Sequence, residues 1–210
     1  MIRTMKRKIT FLMLILLIAG LTVCGQVEKG SLFVNGLNIL SFQAGSVKSP
    51  NLSGADSKTT FTSFSIGPYS TIPSLSSAPS INYGFTNKLT GGIFLNLTSM
   101  SEKESEKYTN TGFMFGPCVR YYLADQKKCL PFVEGHLGIG SSSSKYGTAD
   151  SEKSSLFGWH LGTGATYFFT PKVGADFTLG YENIVDKIKS SDQKTNYSYL
   201  QFGMGILVIF

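Results

Sequence analysis

Four ionisable residues stand out because they interrupt stretches that are otherwise apolar or glycine-rich: Arg120, Glu134, Asp176 and Glu182. A guanidinium among carboxylates in a dry interior can sort that interior by ion pairing, or it can line a path for ions. The only histidines are His136 and His160, and Cys118 precedes the first of them. A cysteine and a histidine make a nucleophile and base only with hydrogen-bond contact and a third orienting group, so packing is the simpler role for Cys118 and His136. Two histidines with the thiols of Cys118 and Cys129 show no paired metal-ligand spacing, and no phosphate-cradling glycine loop occurs. No cofactor and no catalytic group is expected.

Most of the chain has an apolar period of two, which belongs to half-buried strands. In 202–210, Phe202, Met204, Ile206, Val208 and Phe210 share one face, and Gly203, Gly205, Leu207 and Ile209 share the other. In 111–123, Phe113, Phe115, Pro117, Val119, Tyr121 and Leu123 oppose Gly112, Met114, Gly116, Cys118, Arg120 and Tyr122. Segments 156–169 and 173–182 repeat the contrast, and their polar and charged residues fall on the glycine face. The alternation predicts eight strands, at roughly 30–43, 73–85, 88–100, 110–124, 130–142, 154–169, 172–186 and 196–210. Tight turns at 86–88, 125–128 and 170–172 alternate with long polar connections at 44–72, 101–109, 143–153 and 187–195. Within 44–72, residues 59–70 are strand-like in composition and either extend the second strand or form a hairpin in the loop.

These elements must close on themselves with the bulky face outward. A soluble eight-stranded barrel would place its charges outside, whereas here charge travels with glycine. The greasy face in water would form a belt far beyond what a monomer exposes. In lipid it is what a closed barrel needs, since closure pairs every backbone polar group. The expected fold is therefore all-β, an eight-stranded antiparallel up-and-down transmembrane barrel with short turns on one side and long loops on the other. Pairing about Lys127 sets Arg120 opposite Glu134 and Cys118 opposite His136 in the lumen. Asp176 and Glu182 add acidity there, giving Arg120 several carboxylates to share. Aromatic girdles are expected from Phe85, Tyr121, Phe132, Tyr167, Phe169 and Phe210 near the short turns. The loop-side girdle would be Phe157, Trp159, Tyr181, Tyr197 and Tyr199.

Composition agrees. Charged residues are only 15% of the chain and aromatics 13%, unlike a typical soluble domain and too apolar for disorder. The formal charge of +6 is concentrated at the start, in Arg3, Lys6, Arg7 and Lys8. Taking those four from 19 basic residues leaves 15 against 13 acidic ones, a net of +2, so charge gives no case for nucleic acid. The four cations precede an apolar run, Ile9 to Leu21, too short to span a bilayer. Together they describe a secretory signal peptide over 1–25 cut after Gly25, followed by a barrel over 26–210. The rival is lipoprotein processing at Cys24, although Val23 departs from the small residue that such a motif prefers. Cys118 and Cys129 lie too far apart along one hairpin for a disulfide.

Two stretches carry a family resemblance: Gly116 to Leu123 followed by Pro131 to Gly140, and Tyr167 to Val173 followed by Leu179 to Tyr181. With the signal peptide and terminal Phe210, the chain resembles the small OmpA/OmpX-like outer-membrane β-barrel proteins over residues 26–210. The resemblance implies an outer-membrane location in a Gram-negative-type bacterium. It also implies that Phe202, Met204, Ile206, Val208 and Phe210 are read by the barrel-assembly machinery after export. The partners expected are outer-membrane lipid and the export and assembly machinery, with the barrel monomeric and any surface ligand unspecified. The expected function is non-enzymatic: a filled barrel that supports the envelope and presents loops. The alternatives are a small channel or carrier of hydrophobic compounds and a lipid-modifying enzyme. The last is disfavoured because neither histidine falls where a loop would meet the outer leaflet.

Overall fold

The computed structural model describes residues 27–36, 40–50, 56–66, 75, 78–103, 107–125, 128–147 and 151–210. The segment 1–25, with its expected cleavage site, lies outside them. Ten strands follow in order: β1 (Leu32–Asn35), β2 (Leu40–Pro50), β3 (Asp56–Ile66), β4 (Ser80–Gly84) and β5 (Leu89–Lys103). They continue as β6 (Lys107–Tyr122), β7 (Cys129–Tyr146), β8 (Glu152–Thr170), β9 (Val173–Ile188) and β10 (Lys194–Ile209). All pairings are antiparallel.

Eight of the ten close a ring, because β1 pairs with β4 on one side and with β10 on the other. At the seam Phe33 meets Ile209 and Val34 meets Val208. The Phe210 amide donates to the Leu32 carbonyl at 2.9 Å. Along the rest of β10, β2 takes over the pairing from Leu40–Met204 up to Lys48–Asn196, and β3 lies beyond β2. The first expected strand, 30–43, is therefore broken. Gly36 takes φ of 90°, a left-handed value open to glycine, and a β-carbon there would collide with the Ala78 carbonyl. The second expected strand, 73–85, shrinks to β4. Of the strand-like residues 59–70, the described part, 59–66, lies in β3, which forms a hairpin with β2 paired from Leu40–Ile66 to Pro50–Asp56.

Among the described residues, the expected long loops at 101–109 and 143–153 are mostly strand, and 187–195 is strand at both ends. β5 and β6 stay paired to Lys103–Lys107, β7 and β8 to Ser144–Glu152, and β9 and β10 to Lys187–Lys194. Serine, threonine and lysine continue the alternation there, and nothing stops ladder hydrogen bonds from persisting in water after the apolar pattern ends.

The two faces follow the expected parity. Ile93, Leu97, Phe113, Val119, Leu137, Ile139, Leu161, Phe177, Leu179 and Leu200 all point outward and are exposed. An exposed apolar girdle of this extent is stable against hydrocarbon, not water. The lumen, however, is not simply glycine and charge. Phe33, Tyr122, Leu130, Phe132, Phe168, Leu207 and Ile209 fill its short-turn end. Leu75, Phe94, Met114, Leu156, Ile184 and Tyr199 fill its loop half. Phe132 and Tyr199 are thus lumen residues rather than girdle aromatics, and Tyr197 packs partly against the upper cluster. Their parity is that of the lumen residues Glu134 and Gln201, and the girdle expectation fails because position near a strand end does not distinguish a girdle from a lumen cap.

Candidate functional site: a charged layer between two apolar plugs

Between the apolar layers lies a band of buried polar side chains built by β6 to β10. The register brings Arg120 opposite Glu134 and Cys118 opposite His136. Arg120 donates from Nε and Nη2 to the Glu134 Oε2 atom at 3.0 and 2.8 Å, and from Nη1 to Asp176 Oδ2 at 2.6 Å. Thr166 donates to the other Asp176 oxygen at 2.6 Å. The guanidinium also lies over the Phe132 ring, 3.8 Å from its centroid, so the lower apolar layer contributes a cation–π contact. Charge-assisted hydrogen bonds are what make a buried ion pair tolerable.

Of the carboxylates expected around Arg120, Glu134 and Asp176 ion-pair with it; the remaining one is Glu182. It lies across His160 instead. His160 Nδ1 is 3.4 Å from Glu182 and Nε2 is 3.5 Å from Glu134, which places the imidazole between two carboxylates. The ring has room because Gly162 and Gly180 pair beside it, and a β-carbon on either would strike the imidazole. Glu182 Oε2 accepts from the Tyr199 hydroxyl at 2.8 Å and from the Leu75 amide at 3.0 Å. His136 Nδ1 donates to the Leu75 carbonyl at 3.1 Å and stacks on Phe94. Leu75 is fully buried, and both its backbone polar groups are held by lumen side chains.

Leu75 thus blocks the loop half of the lumen, whereas the alternation places it in the wall strand expected over 73–85. Cys118 does not approach His136 as a nucleophile would. Its thiol donates to Asn82 Oδ1 at 3.0 Å, within a cluster that includes Ser80 and Asn35. Cys118 and Cys129 are free thiols. No group of three or more potential metal ligands occurs among the described residues.

The C-terminal residues sit where their alternation places them. Phe202 and Phe210 are exposed on the outer face of β10, and Met204, Ile206 and Val208 are half-buried between them. A second feature of the described residues lies beside β5. β4 ends at Ser80, opposite Phe94, and the Leu95 amide reaches the Pro79 carbonyl at 3.0 Å. Beyond that rung no described strand pairs with this edge of β5. A cavity of about 500 Å³ opens there, lined by Val34, Ala78, Ile81, Ile93, Leu95 and Leu97 among others.

No protein-family model and no curated protein matches the chain. Among solved structures, Neisserial surface protein A is 16% identical, with 87% of this chain and 100% of that one covered at a TM-score of 0.49. Ail of Yersinia pestis, solved with the heparin analogue sucrose octasulfate, is 15% identical, with 85% and 99% covered at 0.45. OprG of Pseudomonas aeruginosa is 13% identical, with 87% and 97% covered at 0.45. In architecture, this chain is similar to small outer-membrane β-barrels. The barrel assignment itself rests on the closed register and the outward apolar face.

Proposed function

We propose that the chain is a non-enzymatic integral protein of a bacterial outer membrane, a side-chain-filled barrel that contributes to envelope structure and presents its loop-side hairpins at the surface. The observation that carries this reading is the closed lumen: an ion-paired Arg120–Glu134–Asp176 layer lies under a Leu75 plug clamped by Glu182 and His136. A buried, ion-paired layer between apolar ones opposes ion passage, because an ion would have to break the Arg120 pairs and cross two oily zones. Export and insertion through the barrel-assembly machinery belong to the same reading, with Phe202 to Phe210 as the recognised strand.

The reading is tested in planar bilayers. The purified mature chain should give no sustained conductance, and His160→Ala should leave the lipid composition of expressing cells unchanged. A steady open channel, or a lipid profile that depends on His160, contradicts it. One observation favours a second reading, a carrier of hydrophobic compounds: the cavity beside β5 is lined mainly by apolar side chains. Detergent-free uptake of an apolar dye into proteoliposomes, abolished by Leu97→Arg, would support that reading over the first.

A further inference from the structure

The polar layer holds a group that a merely filled lumen does not require, an imidazole caught between two carboxylates. His160 is fully buried. Its Nδ1 faces Glu182 Oε1 at 3.4 Å and its Nε2 faces Glu134 Oε1 at 3.5 Å, and neither nitrogen hydrogen-bonds to another group. The second oxygen of each acid is committed elsewhere. Glu134 Oε2 accepts from Arg120, and Glu182 Oε2 accepts from the Leu75 amide and the Tyr199 hydroxyl. Glu182 is therefore a single link between the imidazole and the backbone of the plug.

Only one form of the ring suits both acids. An imidazolium carries a proton on each nitrogen, whereas the neutral ring carries one and turns a lone pair toward the carboxylate that the proton leaves. The ring cannot swing clear. Gly162 and Gly180 lie so close on one side that a β-carbon on either would strike it, and the His136 ring meets it edge-on at 5.1 Å. Charge points the same way. Among the described residues the buried layer sets three carboxylates, Glu134, Asp176 and Glu182, against one guanidinium, a surplus that a dry interior disfavours. The surrounding strands supply the rest of the titratable groups. β7 presents Glu134 and His136, β9 presents Glu182 and the Arg120-bound Asp176, and β10 presents the Tyr199 hydroxyl. β6 presents Arg120 and Cys118, the first bound to Glu134 and the second to Asn82. His136 Nδ1 also holds the Leu75 carbonyl.

We propose that His160 is a proton-held latch for the lumen plug: Leu75 stays seated while both ring nitrogens carry a proton, and loss of one unseats it and opens the charged layer to the loop-side mouth. With one proton gone, a lone pair faces either Glu182, the link to the Leu75 amide, or Glu134. The crowded ring passes that repulsion to His136, the second clamp on Leu75. This rests on the filled-barrel reading above and adds to it the group that keeps the fill in place.

The test uses the mature chain refolded in detergent micelles and nitrogen-labelled for NMR. As pH is raised, the ring-nitrogen shifts show when His160 passes from two protons to one. Hydrogen exchange, corrected for its intrinsic pH dependence, reports the protection of the Leu75 amide. The two changes should coincide, with protection falling about tenfold or more, the worth of one charge-assisted hydrogen bond. His160→Gln should leave the Leu75 amide weakly protected and remove the step. The latch is overturned by a ring that carries one proton wherever Leu75 is protected, or by protection that falls while the ring keeps both. Protection that follows the His136 ring instead, or an unchanged step in His160→Gln, overturns it as well. Should the variant misfold, the comparison of ring and amide in the unmodified chain still decides. A folded chain in which the two changes part refutes the latch alone, whereas a chain that forms no compact state in micelles or liposomes refutes the barrel reading.

Discussion

At the residue scale, Arg120 is the most consequential side chain in the lumen, since two carboxylates, Glu134 and Asp176, depend on it. Arg120→Met should destabilise the barrel by about 3–5 kcal/mol, because Asp176 would be left buried without a cation and Glu134 with only its histidine neighbours. Urea unfolding of refolded protein measures this, and adding Glu134→Gln and Asp176→Asn to Arg120→Met should recover much of the loss. The pairing of Arg120 with Glu134 is readable from the sequence, because a two-residue period and one tight turn suffice to set the register of a hairpin. Glu182 and His160 face each other directly in the β8–β9 register, so that contact is set in the same way. The bond from the Leu75 amide to Glu182 is not readable, because the alternation puts Leu75 in a strand expected over 73–85, whereas the chain carries it into the lumen against β9. Phe132 and Tyr199 illustrate the same limit. Parity assigns them a face, but an aromatic near a strand end suits a lumen cap as well as a girdle.

At the scale of elements, alternation located β6 to β10 well because both of their faces are strongly typed, bulky against glycine. It faltered at β1 to β4, where Gly36 breaks the strand and the β2–β3 hairpin rises beside β10. It also ended the loop-side hairpins too early, since polar residues hold ladder pairs as well as apolar ones do. The β9–β10 turn offers a test at this scale. Asp192, at φ of 57°, accepts from Lys187, and that hydrogen bond holds its carboxyl below the usual carboxylate range. A carboxyl with a lowered folded pKa contributes stability above its unfolded pKa and loses it as pH falls through the folded value. Exchange at the Ile188 amide, which donates to Gln193 across the turn, should therefore lose protection in acid relative to neutral pH. Asp192→Asn should remove that pH dependence.

At the scale of the whole molecule, the chain is a cylinder with its oily side out, sealed where β1 meets β10. Its last residue lies at that seam, so losing Phe210 affects both the outer face and closure. Phe210→Ser should lower the fraction that assembles in cells several-fold, read as the share of membrane protein that migrates compactly before boiling. The most direct test of the orientation uses Trp159, the sole tryptophan, which packs on Tyr181 on the outer wall. In liposomes, lipids brominated along their acyl chains should quench its fluorescence strongly, and aqueous iodide should have little effect. Quenching by iodide with none from the brominated lipid would place Trp159 in water and contradict a barrel whose bulky face meets hydrocarbon.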